Sequence, residues 1–147
     1  MPVIVVGADT PKGRAVVEEL VEPGREVRAF VSDPDTGAEL RALGVKVALG
    51  DVSDDSHVQG ACMNCFTAVL ITEAARDGRE RSFATSEVKV LEGWAAAAAA
   101  SGVTRVIWVH DGEPPPVEVR EVRTVSPDHP DLVAEVAALD DARFLPQ

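Results

Sequence analysis

The sequence predicts an α/β fold in which a doubly wound, Rossmann-like parallel sheet of five or six strands carries helices on both faces. Short apolar runs rich in valine and isoleucine recur along the chain, and most are separated by segments with helical spacing. The runs are continuously apolar instead of alternating, which indicates strands that are buried on both faces. The five runs cover residues 3–6, 27–31, 45–49, 68–72 and 106–109.

The first two connections between these strands have helix start and stop signals. A helix is predicted over about residues 11–21, with Thr10 as its N-cap and Pro11 at the first helical position. A second, shorter helix covers about residues 36–43 and ends at Gly44, directly before the third strand.

The next two helices also have recognisable ends. The third helix begins after the cap Ser53 and ends at Asn64, a residue type that tolerates the left-handed conformation. The longest helix spans about residues 82–101, contains a run of alanines at 95–100, and ends at Gly102.

The remaining segments have weaker patterns. Residues 74–80 are polar and aperiodic, which predicts a surface loop at the carboxyl end of the fourth strand, where ligands are expected. Residues 111–128 are interpreted as an irregular connector. In residues 129–147 we expect a terminal helix over about 130–139 and a sixth strand at 143–145.

Length and composition fit one globular domain over residues 1–147. Hydrophobic residues make up 46% of the chain and charged residues 27%, which argues against a disordered or membrane protein. The 25 acidic and 14 basic residues give a formal net charge of −11, which would repel nucleic-acid phosphates and anionic lipids. We therefore expect a cytoplasmic protein without nucleic-acid or membrane partners.

The two cysteines, Cys62 and Cys65, have the spacing of redox dithiols and of half a zinc site. A redox pair usually opens a helix, whereas this pair lies at a predicted helix end. A zinc site needs two more ligands, and the three histidines stand at no recognisable spacing for them. We therefore expect no metal, and two small side chains packed in the core.

The first strand leads into a glycine-containing turn and a helix start, which is where Rossmann domains hold a pyrophosphate. Backbone N–H groups and the positive end of the helix dipole converge there. The alternative is structural: Gly7 makes the turn, and Gly13 allows the helix to pack closely on the strand. The candidate phosphate contacts are Gly7, Ala8, Thr10, Pro11, Lys12 and Gly13.

In order and spacing, residues 3–110 resemble the atypical short-chain dehydrogenase/reductase families, the NmrA-like and NAD(P)H-binding group. These families typically open with Gly-Ala-Thr-Gly-x-x-Gly, where this chain has Gly-Ala-Asp-Thr-Pro-Lys-Gly at residues 7–13. Residues 25–34 resemble the second strand and its turn, and residues 45–52 resemble the third strand with its terminal Gly-Asp. Residues 95–109 resemble the long helix and the fifth strand.

The resemblance implies a bound NAD or NADP and three pairs of contacts. Ser32 and Asp33 would contact the adenosine ribose, Asp51 and Val52 the adenine, and Thr72 and Glu73 the nicotinamide side. Many relatives have an arginine at the end of the second strand that pairs with the 2′-phosphate of NADP. Ser32 stands there instead, so we expect a slight preference for NAD. For residues 33–35, a turn and helix cap is as good an interpretation as a ribose contact.

Two departures from the family pattern oppose cofactor binding. Thr10 replaces the middle glycine of the phosphate loop, and Asp9 brings a carboxylate to the anion site. Steric crowding and charge repulsion are therefore expected, and a domain without a cofactor is an open alternative. Lys12 and Arg14 would offset the charge of Asp9.

The sequence leaves catalysis open. The chain has no tyrosine, so the Tyr/Lys catalytic pair of typical short-chain dehydrogenases is absent. His110, after the fifth strand, is a candidate general acid or base, and a hydrogen-bonded structural histidine is the alternative. Relatives continue beyond this chain's end into a region that completes the substrate pocket, which argues against efficient turnover by a monomer, and a homo-oligomer is one way to supply the missing wall.

Three functions are therefore compatible with the sequence. The first is a small NAD(P)-dependent oxidoreductase in which the cofactor carries the chemistry. The second is a non-catalytic nucleotide or redox sensor, as the resemblance to NmrA-like regulators suggests. The third is a degenerate Rossmann scaffold that binds a protein partner and no nucleotide. Fold analogy supports all three equally, and the sequence favours dinucleotide binding.

Overall fold

A computed structural model describes residues 1–145. In these residues the strands are β1 (Val3–Val6), β2 (Val27–Val31), β3 (Lys46–Leu49), β4 (Thr67–Ile71), β5 (Arg105–Val109) and β6 (Glu121–Val125). All neighbouring strands are parallel, and the order across the sheet is β3-β2-β1-β4-β5-β6. Strands β2 and β3 are added on one side of β1, and β4, β5 and β6 on the other, so the strand order reverses between β1 and β4. In such sheets ligands bind at this switch point, outside the carboxyl ends of the strands.

Helices cover both faces of the sheet, as predicted. They are α1 (Pro11–Leu20), α2 (Pro34–Ala42), α3 (Asp55–Cys62), α4 (Glu87–Ser101) and α5 (Leu132–Asp141). One hydrophobic core lies between the sheet and α1, α2 and α5, and a second lies between the sheet and α3 and α4. Two cores form because successive strand residues point to opposite faces, which explains why the central strands β1 and β4 are almost continuously apolar. None of the helices described is long and apolar enough to cross a membrane.

Four helices begin within two residues of the predicted positions, and α4 begins five residues later than predicted. Thr10 is the cap of α1, as expected. Asp33 caps α2, Asp54 rather than Ser53 caps α3, and Ser86 caps α4, which therefore begins later than predicted. Capping residue types follow one another closely at these three places, and tertiary packing selects the one that is used.

The predicted helix ends and the burial of the cysteines are confirmed. Asn64 has a φ of 66° and Gly102 a φ of 82°, so both adopt the left-handed conformation. Cys62 and Cys65 are buried thiols. Burial raises the pKa of Cys62 to about 12, which keeps this thiol protonated and unreactive.

The position of the sixth strand was wrong in the sequence analysis. The strand lies at Glu121–Val125, inside the predicted connector 111–128, and residues 143–145 form no strand. It pairs with β5 so that Glu121 lies opposite Arg105, whose Nε donates to Glu121 at 2.7 Å. A strand with a buried charged residue is not a continuous apolar run, so its pattern does not predict a strand. The residue that compensates the charge lies on another strand and is not visible in the local sequence.

Candidate functional site

Close packing within the protein requires the two glycines at the turn between β1 and α1. Gly7 has a φ of 87°, and a Cβ there would lie 2.9 Å from the Ile71 carbonyl oxygen. A Cβ at Gly13 would collide with the Gly7 carbonyl oxygen. Both glycines therefore have the structural role that the sequence analysis offered as the alternative, and their contact with a phosphate stays a prediction.

Thr10 lies inside this turn, not over it. Its hydroxyl donates to the Gly7 carbonyl at 2.8 Å and accepts from the Gly13 N–H at 3.0 Å. The residue is only 2% exposed, and its φ of −86° is accessible to any L-amino acid. The side chain therefore does not cover the surface that a ligand would approach, and the expected steric crowding by Thr10 finds no support in this geometry.

The start of α1 retains a small set of donors for an anion. Pro11 has no N–H, and the N–H of Gly13 is bound by Thr10. The N–H groups of Asp9 and Lys12 have no acceptor within residues 1–145. Because α1 is ten residues long, its first turn also has a positive partial charge. This donor set fits a phosphate at the turn, with fewer donors than a loop without proline would offer.

Three of the predicted contacts are already engaged in other interactions. Ala8 is fully buried, and its N–H lies 3.4 Å from a carbonyl of β2. The ammonium group of Lys12 lies 3.5 Å from the exposed Asp128. Val52 is fully buried, and its carbonyl accepts a hydrogen bond from the indole of Trp94 at 2.7 Å. These residues shape the site, and only Lys12 has a polar side chain that could turn toward a ligand.

Asp9 reaches across from the turn to the carboxyl end of β2. Its Oδ2 accepts from the N–H groups of Ser32 at 2.8 Å and Asp33 at 3.2 Å. Its Oδ1 accepts from Nη1 of Arg79 at 2.7 Å, and the Asp9 side chain is 3% exposed. The carboxylate thus lies at the end of β2 and not at the start of α1, which corrects where its negative charge was expected to act.

Arg79 is the residue that sequence analysis missed. It belongs to the loop after β4 and is held by Asp77, with Nε to Oδ1 at 2.7 Å and Nη2 to Oδ2 at 2.6 Å. Burial by itself would lower the pKa of Arg79, but Asp77 and Asp9 outweigh it and raise this pKa above its ordinary value. The sequence feature that could have pointed to Arg79 is an arginine in a polar loop at the carboxyl end of a strand, in a chain with more acidic than basic residues.

Asp51 and Asp33 are also acceptors of local hydrogen bonds. Asp51 accepts from the Ser53 hydroxyl at 2.6 Å and from the Ser82 N–H at 2.8 Å. Burial opposes ionisation of Asp51, but these hydrogen bonds outweigh it and hold its pKa below the ordinary value. Asp33 caps α2 and accepts from the Thr36 hydroxyl at 2.6 Å, which lowers the pKa of Asp33. The cap interpretation of Asp33 is confirmed, and a contact with ribose stays a prediction.

These residues line one open cavity of about 680 Å³ at the carboxyl ends of β1, β2 and β3. The structure therefore brings together Ser32, Asp33 and Asp51, which the sequence analysis proposed for one end of a ligand. The charged residues of the lining are Asp9, Asp33, Asp51, Asp77, Arg79 and Glu80. Five carboxylates against one guanidinium favour neutral or cationic ligand groups over phosphates.

Thr72 and His110 meet at the carboxyl ends of β4 and β5. The Thr72 hydroxyl lies 2.9 Å from the Val109 carbonyl oxygen and 2.9 Å from Nδ1 of His110. A hydroxyl has one proton, so when Thr72 donates it to the carbonyl, Nδ1 must carry the histidine proton. The lone pair of His110 is then on Nε2. Glu73 follows Thr72 in the 3₁₀ turn Thr72–Ala75.

A second cavity of about 510 Å³ opens beside His110. Leu91 and the three prolines at 114–116 form much of its apolar wall, and Glu87, Glu92 and Glu113 add carboxylates. The hydrogen bond to Thr72 agrees with a structural role for His110, which the sequence analysis offered as the alternative. His110 also lines this cavity, so the residue is placed where a ligand would bind.

The sequence model of a family described as NAD(P)H-binding matches residues 7–122. No curated protein matches the chain. Similar solved structures include Citrobacter sp. triphenylmethane reductase complexed with NADP(H), which is 21% identical with a TM-score of 0.61 over 74% of this chain. An anaerobillin reductase from Escherichia coli O157:H7 is 24% identical with a TM-score of 0.58 over 76% of the chain.

A third similar structure is a short-chain dehydrogenase/reductase superfamily protein from Agrobacterium tumefaciens with bound NAD. It is 27% identical, with a TM-score of 0.51 over 74% of this chain. The matches cover 36%, 51% and 32% of the three proteins in the order given, so this chain spans about a third to a half of their length.

Proposed function

Because the chain belongs to the NAD(P)H-binding family, whose ligand is a nicotinamide dinucleotide, we propose that it is the cofactor-binding domain of a small reductase and prefers NAD to NADP. The observation that carries the proposal is the cavity at the carboxyl ends of β1, β2 and β3, on one side of the switch point between β1 and β4. It lies beside the start of α1, and its lining contains Ser32, Asp33 and Asp51.

In the proposed complex, the pyrophosphate is bound at the first turn of α1. The N–H groups of Asp9 and Lys12, together with the helix dipole, are the donors there. The Lys12 ammonium is 3.5 Å from an exposed carboxylate and can move from it to a phosphate at little cost. Gly7 and Gly13 allow the close packing that holds these donors at the start of the helix.

The adenosine end would occupy the acidic cavity. Ribose hydroxyls are donors, so they suit the carboxylate of Asp33 and the hydroxyl of Ser32. The adenine would lie at the end of β3, near Asp51 and the backbone of Val52. A 2′-phosphate would add a charge of about −1.5 to −2 to a cavity that is already rich in carboxylates. This electrostatic cost supports the preference for NAD.

The nicotinamide side would lie over the ends of β4 and β5. A bound nicotinamide supplies hydride transfer, and this chain supplies orientation and a proton. Thr72 fixes the ring of His110 by its contact with Nδ1, which leaves Nε2 to accept or donate a proton at the cavity. Glu73, in the adjoining turn, completes the proposed nicotinamide contacts.

The test is a calorimetric titration of the protein with NAD, NADH, NADP and NADPH at low salt. We expect micromolar binding with NAD(H) favoured, and an Asp51→Ala variant should bind more weakly. Glu19→Ala removes an exposed carboxylate from α1 and serves as the matched control. The absence of both heat and thermal stabilisation at millimolar ligand would overturn the proposal and favour a scaffold for a protein partner.

Catalysis needs a separate measurement. Once a substrate that accepts a hydride has been found, His110→Gln should lower the rate of its reduction. The variant should leave the NAD affinity unchanged, because His110 is proposed to transfer a proton and not to bind the cofactor. Binding without turnover by any acceptor would favour the nucleotide or redox sensor instead. Sedimentation of the same samples tests for a homo-oligomer.

A further inference from the structure

We propose that Asp9 is an internal anion that occupies the subsite for a 2′-phosphate, and that this residue sets the domain's selectivity against NADP. The inference rests on the proposed dinucleotide binding and adds the residue that decides between the two cofactors. Its basis is the set of donors that converge on the Asp9 carboxylate at the end of β2.

The donors around Asp9 have the composition of an anion site. Two consecutive backbone N–H groups, those of Ser32 and Asp33, and one guanidinium N–H of Arg79 point at the same carboxylate. Backbone N–H groups paired with an arginine are typical ligands of phosphate oxygens. The Asp9 side chain is 3% exposed, so it fills this site and leaves little of it to solvent.

The site would persist without Asp9. Asp77 binds the guanidinium of Arg79 through two nitrogens, at 2.7 and 2.6 Å, and so keeps it in place. The N–H groups of Ser32 and Asp33 belong to the end of β2 and the cap of α2, which are fixed by the sheet and the helix. Removal of the Asp9 carboxylate would therefore expose three preformed donors.

The other carboxylates of the cavity do not take these three donors, since Asp77 binds Nε and Nη2 of Arg79 and not Nη1. Asp33 accepts from Asp35 and Thr36 of its own helix, and Asp51 accepts from Ser53 and Ser82. Their charge acts on a phosphate only through space. Asp9 acts both by charge and by occupying the hydrogen-bond donors, and this double effect separates it from the rest of the lining.

The experiment compares the ratio of NADP to NAD affinity in wild type, Asp9→Ala and Glu80→Ala by calorimetry. Glu80→Ala removes one carboxylate from the same cavity without touching the three donors, and is the control for charge alone. Asp9→Ala should shift the ratio toward NADP by about tenfold or more, since charge-assisted hydrogen bonds are regained. Glu80→Ala should shift it far less, and Arg79→Ala added to Asp9→Ala should abolish most of the gain.

Equal shifts in Asp9→Ala and Glu80→Ala, or no shift in Asp9→Ala, would overturn the inference and leave the proposed NAD binding intact. Adenosine 2′,5′-bisphosphate separates the two proposals further, because it probes the subsite without the nicotinamide half. If wild type binds no dinucleotide but Asp9→Ala binds this ligand, the subsite stands and the proposed NAD binding falls. Binding of no ligand by any folded variant overturns both. Asp9→Thr, with a neutral side chain of similar size, replaces Asp9→Ala if circular dichroism shows that the latter is unfolded.

Discussion

The buried pair of Arg105 and Glu121 allows a quantitative test of what holds the sixth strand in the sheet. Arg105 is fully buried, Glu121 is 6% exposed, and the two side chains lie 2.7 Å apart. Glu121 also accepts from the Leu145 N–H at 3.0 Å. In Glu121→Gln the guanidinium loses its counter-charge, and one of the two donors loses its acceptor because the amide nitrogen cannot accept. Breaking a buried pair from one side costs about 3–5 kcal/mol, so we expect a loss of about 3 kcal/mol in the free energy of unfolding.

Urea unfolding at pH 7 measures this loss from the midpoint, provided that the slope with urea is unchanged. Glu18→Gln, which removes an exposed partner of Arg14, is the control and should change stability only slightly.

The hydrogen bond from Arg105 lowers the pKa of Glu121 below its ordinary 4.5, so the pair stabilises the fold above that pH. Its contribution is lost as pH falls through the lower, folded-state pKa. The advantage of wild type over Glu121→Gln should therefore shrink below about pH 4.5. A loss within about 0.5 kcal/mol at pH 7 would refute the reasoning.

Three further predictions concern the turn before α1 and the cysteines. Thr10→Gly should lower stability by about 1 kcal/mol, because it removes a helix cap and a buried hydrogen bond. It should leave NAD affinity unchanged in calorimetry, and tighter binding would restore the crowding hypothesis. Gly13→Ala should lower the urea midpoint by the equivalent of roughly 1–3 kcal/mol, whereas Gly60→Ala, where a Cβ meets no atom within 4 Å, should not lower it. Cys62 and Cys65 should react with a thiol reagent only after unfolding, since burial raises both pKa values, and rapid labelling of the native protein would contradict this.

Most of the fold could be predicted because its signals are local. A continuous apolar run predicts a strand that is buried on both faces, and all five strands predicted in this way begin and end within one residue of the prediction. Helix caps such as Thr10 and left-handed ends such as Asn64 depend on residues that are neighbours in sequence. The strand at Glu121–Val125 was missed because its buried charge is compensated across the sheet.

The candidate site could be predicted only in part. The sequence placed Ser32, Asp33 and Asp51 at carboxyl ends of strands, and the cavity indeed joins them. It assigned the charge of Asp9 to the pyrophosphate and gave no role to Arg79, which is 70 residues away in sequence. A carboxylate can turn toward any donor within reach, and the pattern of neighbouring residues does not specify which donor that is.

The sequence by itself determined the parallel sheet with helices on both faces, the glycine turn before α1 and the acidic balance of the chain. These depend on short-range periodicity, on the backbone freedom of particular residues and on composition. Only the tertiary structure decided that Asp9 meets Ser32, Asp33 and Arg79, and that Thr10 turns inward. The strand order brings the ends of β1, β2 and β4 to one edge of the sheet, and hydrogen bonds form between groups that are close in space, however far apart they are along the chain.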